Sequence, residues 1–442
     1  MFQNHNFNLY HCGIGVEKNI ENALYYYSKA ADQNNMFALF NIGTIYERGE
    51  VIMKDMNKAI NYYTRSADQG YALALHSLGV IYEKGIYIKQ DIGKAIHYYL
   101  FAASQKNADA QYNLGLLYEK GMKVKKDITQ AIYYYTLAAE QNHQDAQCNL
   151  GLIYEQGIYV QRDINKAIYY YTLSAKQNNP RAQYYLGCIY SYKKYVPVDI
   201  SLSIYYLKLA SNQNDVNAQV LLGEIYLKDI YVKKDIEKAI GYFTLAANQN
   251  SPIALLYLAS IYFDDTYFRK DKKKSLHYFQ LAAEQKYPPA FYNLGLIYEY
   301  GYDKRDINKA IHFYTLAANQ NYKEAQFKLG KIYLKGKYFE KNIKKAIYYL
   351  TLSSKNNNIE SNFILGCLYH EEIYIECDIY KSIKFYKEAS SFNNFFAKNN
   401  LGIIYKNGFK NIIKPNLGLA IEYFNEAIKN NDNNIKRLIS LY

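Results

Sequence analysis

Tryptophan is absent from this chain of 442 residues, which also has only six prolines and five cysteines. The cysteines, Cys12, Cys148, Cys188, Cys367 and Cys377, are odd in number and show no CxxC spacing. That pattern argues against a disulfide framework or a structural zinc, and for reduced thiols packed as small hydrophobes. No stretch reaches the roughly 18 consecutive apolar residues that a membrane-spanning helix needs. Met1 to Tyr10 lacks the charged start and apolar core of a secretory signal, so a cytoplasmic address is expected. Phosphate-loop, serine-hydrolase, zinc-protease and kinase signatures are equally missing. The sequence therefore offers no catalytic residue, no cofactor site and no metal site.

Tyrosine is what the chain has in abundance, with 54 residues against 20 phenylalanines. Its placement is periodic. A glycine preceded by a hydrophobic residue and followed three positions later by tyrosine stands at Gly43, Gly79, Gly115, Gly151, Gly187 and Gly223, each 36 residues after the last. The series passes through Ala259 to Gly295, shortens one step to reach Gly330, and continues to Gly366 and Gly402. A period of this length marks a supersecondary unit that cannot bury its apolar face alone and must stack on its neighbours. The formal net charge of +13 bears on solubility and non-specific binding, not on fold.

The unit from Asp145 to Asn179 displays the pattern. Ala146, Leu150, Ile153 and Tyr154 share one face of a first helix, which Gly157 stops in the left-handed conformation. Asp163 stands as N-cap of a second helix whose inner face is Ile164, Ala167, Ile168, Tyr171 and Ala175. This helix ends near Gln177 to Asn179. The cap recurs as aspartate from Asp55 to Asp378, with Asn19 and Asn342 as equivalents, and stacking would spread these side chains along one edge. Capping is therefore their assigned role. A glycine inside a helix costs about 1 kcal/mol relative to alanine, so close approach of a partner helix must offset it. The small pairs Ala102-Ala103, Ala138-Ala139 and Ala246-Ala247 on the second helices are the expected counterpart. Pro180, Pro252 and Pro288 lie seven residues before their anchors, where each can be a first helical residue.

The pattern A-x-x-x-L-G-x-x-Y-x-x-G, then D-x-x-K-A-x-x-(aromatic)-(aromatic)-x-x-A-A, resembles the Sel1-like repeat, a relative of the tetratricopeptide repeat. Ala146, Leu150, Gly151, Tyr154, Gly157, Asp163, Lys166, Ala167, Tyr170, Tyr171 and Ala175 carry the match, which extends from about Phe7 to Lys429. The expected fold is an all-α, right-handed superhelical solenoid of about twelve helix-turn-helix repeats. Its expected divisions are a truncated first repeat over residues 1–36, eleven repeats over 37–430, and a C-terminal capping segment over 431–442 that begins another first helix. Two departures stand out. The family commonly has tryptophan at the first aromatic position of the second helix, held here by residues such as Tyr134, Tyr170 and Phe313. The helix-stop glycine is replaced at Lys193, Asp229, Asp265 and Glu372, so a less regular array is expected there. Proteins of this family look like adaptors, and the resemblance implies protein or peptide binding rather than catalysis.

In related tetratricopeptide solenoids, the first helix lines the concave face three before, one after and four after the anchor. On this chain those positions give Tyr112, Leu116 and Glu119; Cys148, Leu152 and Glu155; Tyr184 and Cys188; and Tyr292, Leu296 and Glu299. With Glu47 and Glu83 the glutamates form an acidic ladder, expected to favour basic or amphipathic segments; the aromatics could equally complete packing between repeats. A second reading makes the chain the regulatory or docking part of a larger enzyme, such as a kinase. A third uses the lysines around the loop between helices, Lys125, Lys126, Lys233, Lys234, Lys344 and Lys345, with Arg269 to Lys274 the densest run. That edge could meet acidic protein, anionic lipid or RNA. Sequence-specific RNA reading is disfavoured because the tyrosines fall at core positions instead of on a stacking surface. His97, His277 and His312 share a position held elsewhere by Tyr133, Tyr169 and Tyr205, and two histidines without an acid or thiol make a poor metal site.

Overall fold

The computed structural model describes residues 17, 19–49, 52–121, 124–192, 196–230, 232–263, 271–301, 305–336, 338, 340–371 and 375–439, excepting the side chains of 429–439. The expectations placed on Phe7, Cys12, Lys193, Asp265, Arg269 and Glu372 lie outside these residues. Among the described residues there are 23 helices and no strand. Eleven first helices, from Met36–Arg48 to Phe395–Asn407, alternate with twelve second helices, from Ile20–Asp32 to Leu417–Ile439. Contacts divide the chain into two units, Met1–Leu222 with Ile230–Val232, and Gly223–Asp229 with Lys233–Tyr442. Each unit is a run of stacked helix pairs, a helical-repeat solenoid.

The local signals act as the sequence implies. Asp163 Oδ1 accepts from the Lys166 backbone N–H at 3.0 Å, and Asp55, Asp91, Asp235 and Asp306 do the same for the residue three further on. The Asp163 N–H in turn donates to the Tyr154 carbonyl at 3.0 Å, which closes the loop between the helices of one repeat. Gly157 stops its helix at φ 63, ψ 27, with its N–H on the Ile153 carbonyl. First helices that precede a stop glycine mostly run 13 residues, as in Gln144–Gln156. Those that precede the four substituted positions, Pro180–Ser191, Val216–Leu227, Pro252–Phe263 and Ile359–His370, run 12. Pro180 and Pro288 open their helices, where a missing N–H costs nothing.

The packing around the anchor glycine corrects one expectation. The glycine does not face the alanine pair; it faces the second aromatic of the following second helix. A Cβ on Gly115 would stand 2.5 Å from the Tyr135 ring, and Gly79, Gly151 and Gly295 meet Tyr99, Tyr171 and Tyr314 in the same way. The glycine is a bed for a large ring that lies flat on the helix backbone. Tyr99, Tyr135, Tyr171 and Tyr314 are wholly buried there, each worth roughly 3 kcal/mol of apolar burial. The Ala138-Ala139 pair turns instead toward the next first helix, where Gln147 donates its side-chain amide to the Ala139 carbonyl at 3.1 Å. Gln177 donates to Gln147 Oε1 at 2.8 Å, so one buried glutamine ties three successive helices together.

The first aromatic of the second helix has its own partner. Tyr134 stacks on Tyr118 with ring centroids 5.9 Å apart and planes 3° off parallel, and Tyr170 does the same on Tyr154 at 5.9 Å. The motif lysine covers the other side: Lys166 Nζ lies 5.1 Å from the Tyr154 centroid, and Lys94 5.2 Å from that of Tyr82. Tyrosine thus fills the family's tryptophan position by stacking. At the far end, the last helix runs through the polar segment Asn430 to Asn434 without the break that would begin a further first helix. Earlier second helices break at a left-handed residue such as Asn178, φ 63, and no described residue after Asn411 has positive φ.

Candidate functional site

The acidic ladder on the first helices is tied to the core by hydrogen bonds from buried tyrosines. Tyr99 donates its hydroxyl to Glu83 at 2.7 Å, Tyr135 to Glu119 at 2.6 Å, Tyr171 to Glu155 at 2.8 Å and Tyr314 to Glu299 at 2.6 Å. Tyr63 does the same to Glu47 at 2.5 Å. Burial, reinforced by the neighbouring carboxylate, raises all five hydroxyl pKa values above the ordinary tyrosine value. Each glutamate thus satisfies a phenol that the glycine bed forces into the core. The chain shows the dependence itself. Where the buried side chain is Leu207, Phe243, Phe279 or Leu350, none with a hydroxyl, the ladder position holds Ser191, Leu227, Phe263 or Leu334; Tyr386, with His370 at that position, donates instead to Cys367 Sγ at 3.4 Å. This pairing was legible as a correlation between two columns of the repeat, missed when each column is read alone.

The candidate partner-binding residues divide by burial. Cys148 is fully buried, with its thiol pKa pushed up to about 11 by that burial, so it offers no surface to a partner, which corrects the expectation for it; Glu299 is 6% exposed and engaged by Tyr314 and Lys328. Glu119 and Glu155 are half-buried on their tyrosines. Tyr112 stacks on His143, centroids 4.5 Å apart, and touches Tyr135 at 5.8 Å. Tyr292 likewise contacts Tyr314 at 5.7 Å and Tyr322 at 5.5 Å. These two aromatics therefore join neighbouring repeats while keeping an edge in solvent. Tyr184 lies against Tyr185 at 5.6 Å, and Cys188 beside it has its thiol pushed up to about 11 by burial.

Leu116, Leu152 and Leu296 remain partly exposed beside the core. They belong to the position one after the anchor, which is partly or fully exposed in every described repeat yet changes chemistry along the chain. It holds Thr44, Val80, Cys188, Glu224, Ser260 and Lys331 among others. The positions around it are fixed by packing; this one is not. Lys331 is the member the sequence reading passed over, and its signal was a cation in a column of mostly neutral residues.

The other tempting groups sit apart from this row. His97, His277 and His312 are exposed, each against the aromatic that follows it, and no group of three metal-binding side chains occurs among the described residues. Lys126 reaches across to the next loop, its Nζ 2.6 Å from the Tyr159 hydroxyl and 4.6 Å from that ring's centroid. Among the described residues no helix is long and apolar enough to cross a membrane.

Comparison with known proteins agrees with this geometry. The family model described as Sel1 repeat matches twelve successive segments, from residues 8–35 to residues 396–432. A structure of c5321, a protective antigen of uropathogenic Escherichia coli displaying an SLR fold, is similar with a TM-score of 0.65 and 26% identity, over 94% of this chain and 90% of that one. A Sel1 repeat protein from Oxalobacter formigenes is similar with a TM-score of 0.59 and 28% identity, over 71% of this chain and 91% of the other. No curated protein matches the sequence.

Proposed function

The chain belongs to the Sel1 repeat family, whose members generally bind proteins and are typically non-catalytic, and from that premise we propose that it is a non-catalytic cytoplasmic scaffold. It holds a protein or peptide partner along the first helices, on the row of side chains that follow the anchor glycines. One observation carries this reading: within a frame whose cap aspartates and buried tyrosines are committed to caps and packing, that row is partly or fully exposed in every described repeat and its chemistry varies from repeat to repeat. A surface that varies inside a rigid scaffold is where specificity can be written.

Site-specific photo-cross-linking in the native cell tests it. A cross-linking amino acid placed at Val80, Leu152 or Ser260 is expected to capture the same protein, whereas one at the exposed second-helix residues Tyr133 or Tyr169 captures none. The reverse pattern, or equal capture from both helices, refutes the assignment of the face.

A further inference from the structure

On the first helix Lys323–Lys335, three lysines, Lys328, Lys331 and Lys335, follow at spacings of three and four and so share one face. The equivalent residues of Gln144–Gln156 are Asn149, Leu152 and Gln156. The lysines line a cleft of about 190 Å³ together with Glu299, Tyr300 and Tyr338. Glu299 is engaged at both oxygens: Oε2 accepts from Tyr314 at 2.6 Å and from Lys328 at 2.9 Å, and Oε1 accepts from Tyr338 at 3.2 Å. Burial alone would raise the Glu299 carboxyl pKa, but the hydrogen bonds from Tyr314 and Lys328 outweigh it and hold the group below its ordinary value. Lys328 is thereby neutralised and fixed, its side chain only 20% exposed.

The other two ammonium groups are left in excess. Among the described residues no carboxylate pairs with Lys331 or Lys335; Lys331 lies 5.1 Å from the Phe327 ring centroid, and Lys335 is exposed. The Tyr300 hydroxyl, 3.4 Å from Lys328 Nζ, adds a neutral donor at the mouth. A cleft smaller than the roughly 300 Å³ of a drug-sized pocket accepts one compact group, not a whole ligand.

We propose that this cleft binds the phosphoryl group of a phosphorylated side chain on a peptide partner, a proposal that rests on the scaffold reading above and specifies its chemistry. A phosphomonoester carries about −1.5 to −2 charges at neutral pH, which matches two free ammonium groups; a carboxylate leaves one of them unmatched. Lysine binds phosphate as a mobile point charge, so two lysines one helical turn apart can converge on a single phosphoryl group.

Titration of the full chain with a phosphoserine peptide of otherwise neutral residues, beside its unphosphorylated and glutamate counterparts, is the test. Tyrosine fluorescence reports it without interference from tryptophan. The expected result is saturable one-to-one binding of the phosphopeptide, about tenfold or more tighter than the glutamate peptide, weakening as pH falls through the phosphate ionisation near about 6. Joint Lys331→Gln and Lys335→Gln substitution lowers the affinity by about tenfold or more, and the arginine pair retains it. Lys120→Gln, at the position equivalent to Lys335 in another repeat, leaves it unchanged. Equal binding of the glutamate peptide, or undiminished affinity in the double glutamine variant, overturns the proposal. Failure of the phosphopeptide to bind with the Leu152 cross-links intact overturns the cleft alone. Loss of those cross-links with the phosphopeptide still bound overturns the scaffold reading alone.

Discussion

Replacing Gly115 by alanine sets two effects of opposite sign against each other. Alanine gains about 1 kcal/mol of helix propensity over glycine. Its Cβ, however, would stand 2.5 Å from both Cδ1 and Cε1 of Tyr135, against the roughly 3.5 to 4 Å of ordinary carbon contact. The ring cannot simply retreat, because its hydroxyl is held to Glu119 at 2.6 Å. Overpacking of this kind costs about 1 to 3 kcal/mol, and displacing a hydrogen bond to a charged group about 1.5 to 3 more. The expected net effect is a loss of about 1.5 to 5 kcal/mol in urea denaturation followed by circular dichroism. Gly241 is the control, since nothing lies within 4 Å of a Cβ built there; Gly241→Ala should gain about 1 kcal/mol. The chain contains its own precedent in Ala259, which packs with Phe279, a ring without a hydroxyl tether. Accordingly, Gly115→Ala should cost less in a Tyr135→Phe background. A neutral or stabilising Gly115→Ala would refute the reasoning.

The Tyr135 and Glu119 pair should be coupled: Tyr135→Phe and Glu119→Leu together should cost about 1 kcal/mol less than the sum of the single changes in a double-mutant cycle. Alkaline pH should destabilise the fold. Tyr99, Tyr135, Tyr171 and Tyr314 have folded pKa values raised above the unfolded value, so their stabilisation is complete below about pH 10 and is lost as pH rises through the raised range. Each contributes about 1.4 kcal/mol of loss per pH unit there, and the part of the tyrosinate absorbance that belongs to these four buried rings should appear only together with unfolding. Asp163→Ala should cost about 1 kcal/mol by losing the cap on the Lys166 N–H, while Asp163→Asn should be nearly neutral in thermal melting.

Local chemistry made much of this architecture readable before any coordinates. Asp163, Pro180 and Gly157 report on dihedrals and orphan backbone groups within a few residues of themselves, so their sequence signals were sufficient. The partner of Gly115 was not readable in that way. Both Ala138-Ala139 and Tyr135 lie on the same helix, and only the crossing of two helices decides which one meets the glycine. The bond from Tyr135 to Glu119 was hidden for the same reason: the phenol is 16 residues away and on another helix. The cleft at Lys331 needed still more, because Glu299, Tyr300 and Tyr338 come from outside the helix that carries the lysines. Periodicity identifies the positions that repeat, and tertiary contact is what separates those committed to packing from those left accessible.

The central claim is that the invariant positions maintain the scaffold while the row after the anchor glycines selects the partner. Affinity for the cross-linked partner, measured beside the melting temperature of each variant, tests it most directly. A charge-introducing substitution at the exposed Ser260 should reduce affinity by about tenfold or more at nearly unchanged melting temperature, and Tyr135→Phe should lower the melting temperature at nearly unchanged affinity. An affinity that tracks melting temperature across both variants, or that is indifferent to the row, would contradict the account.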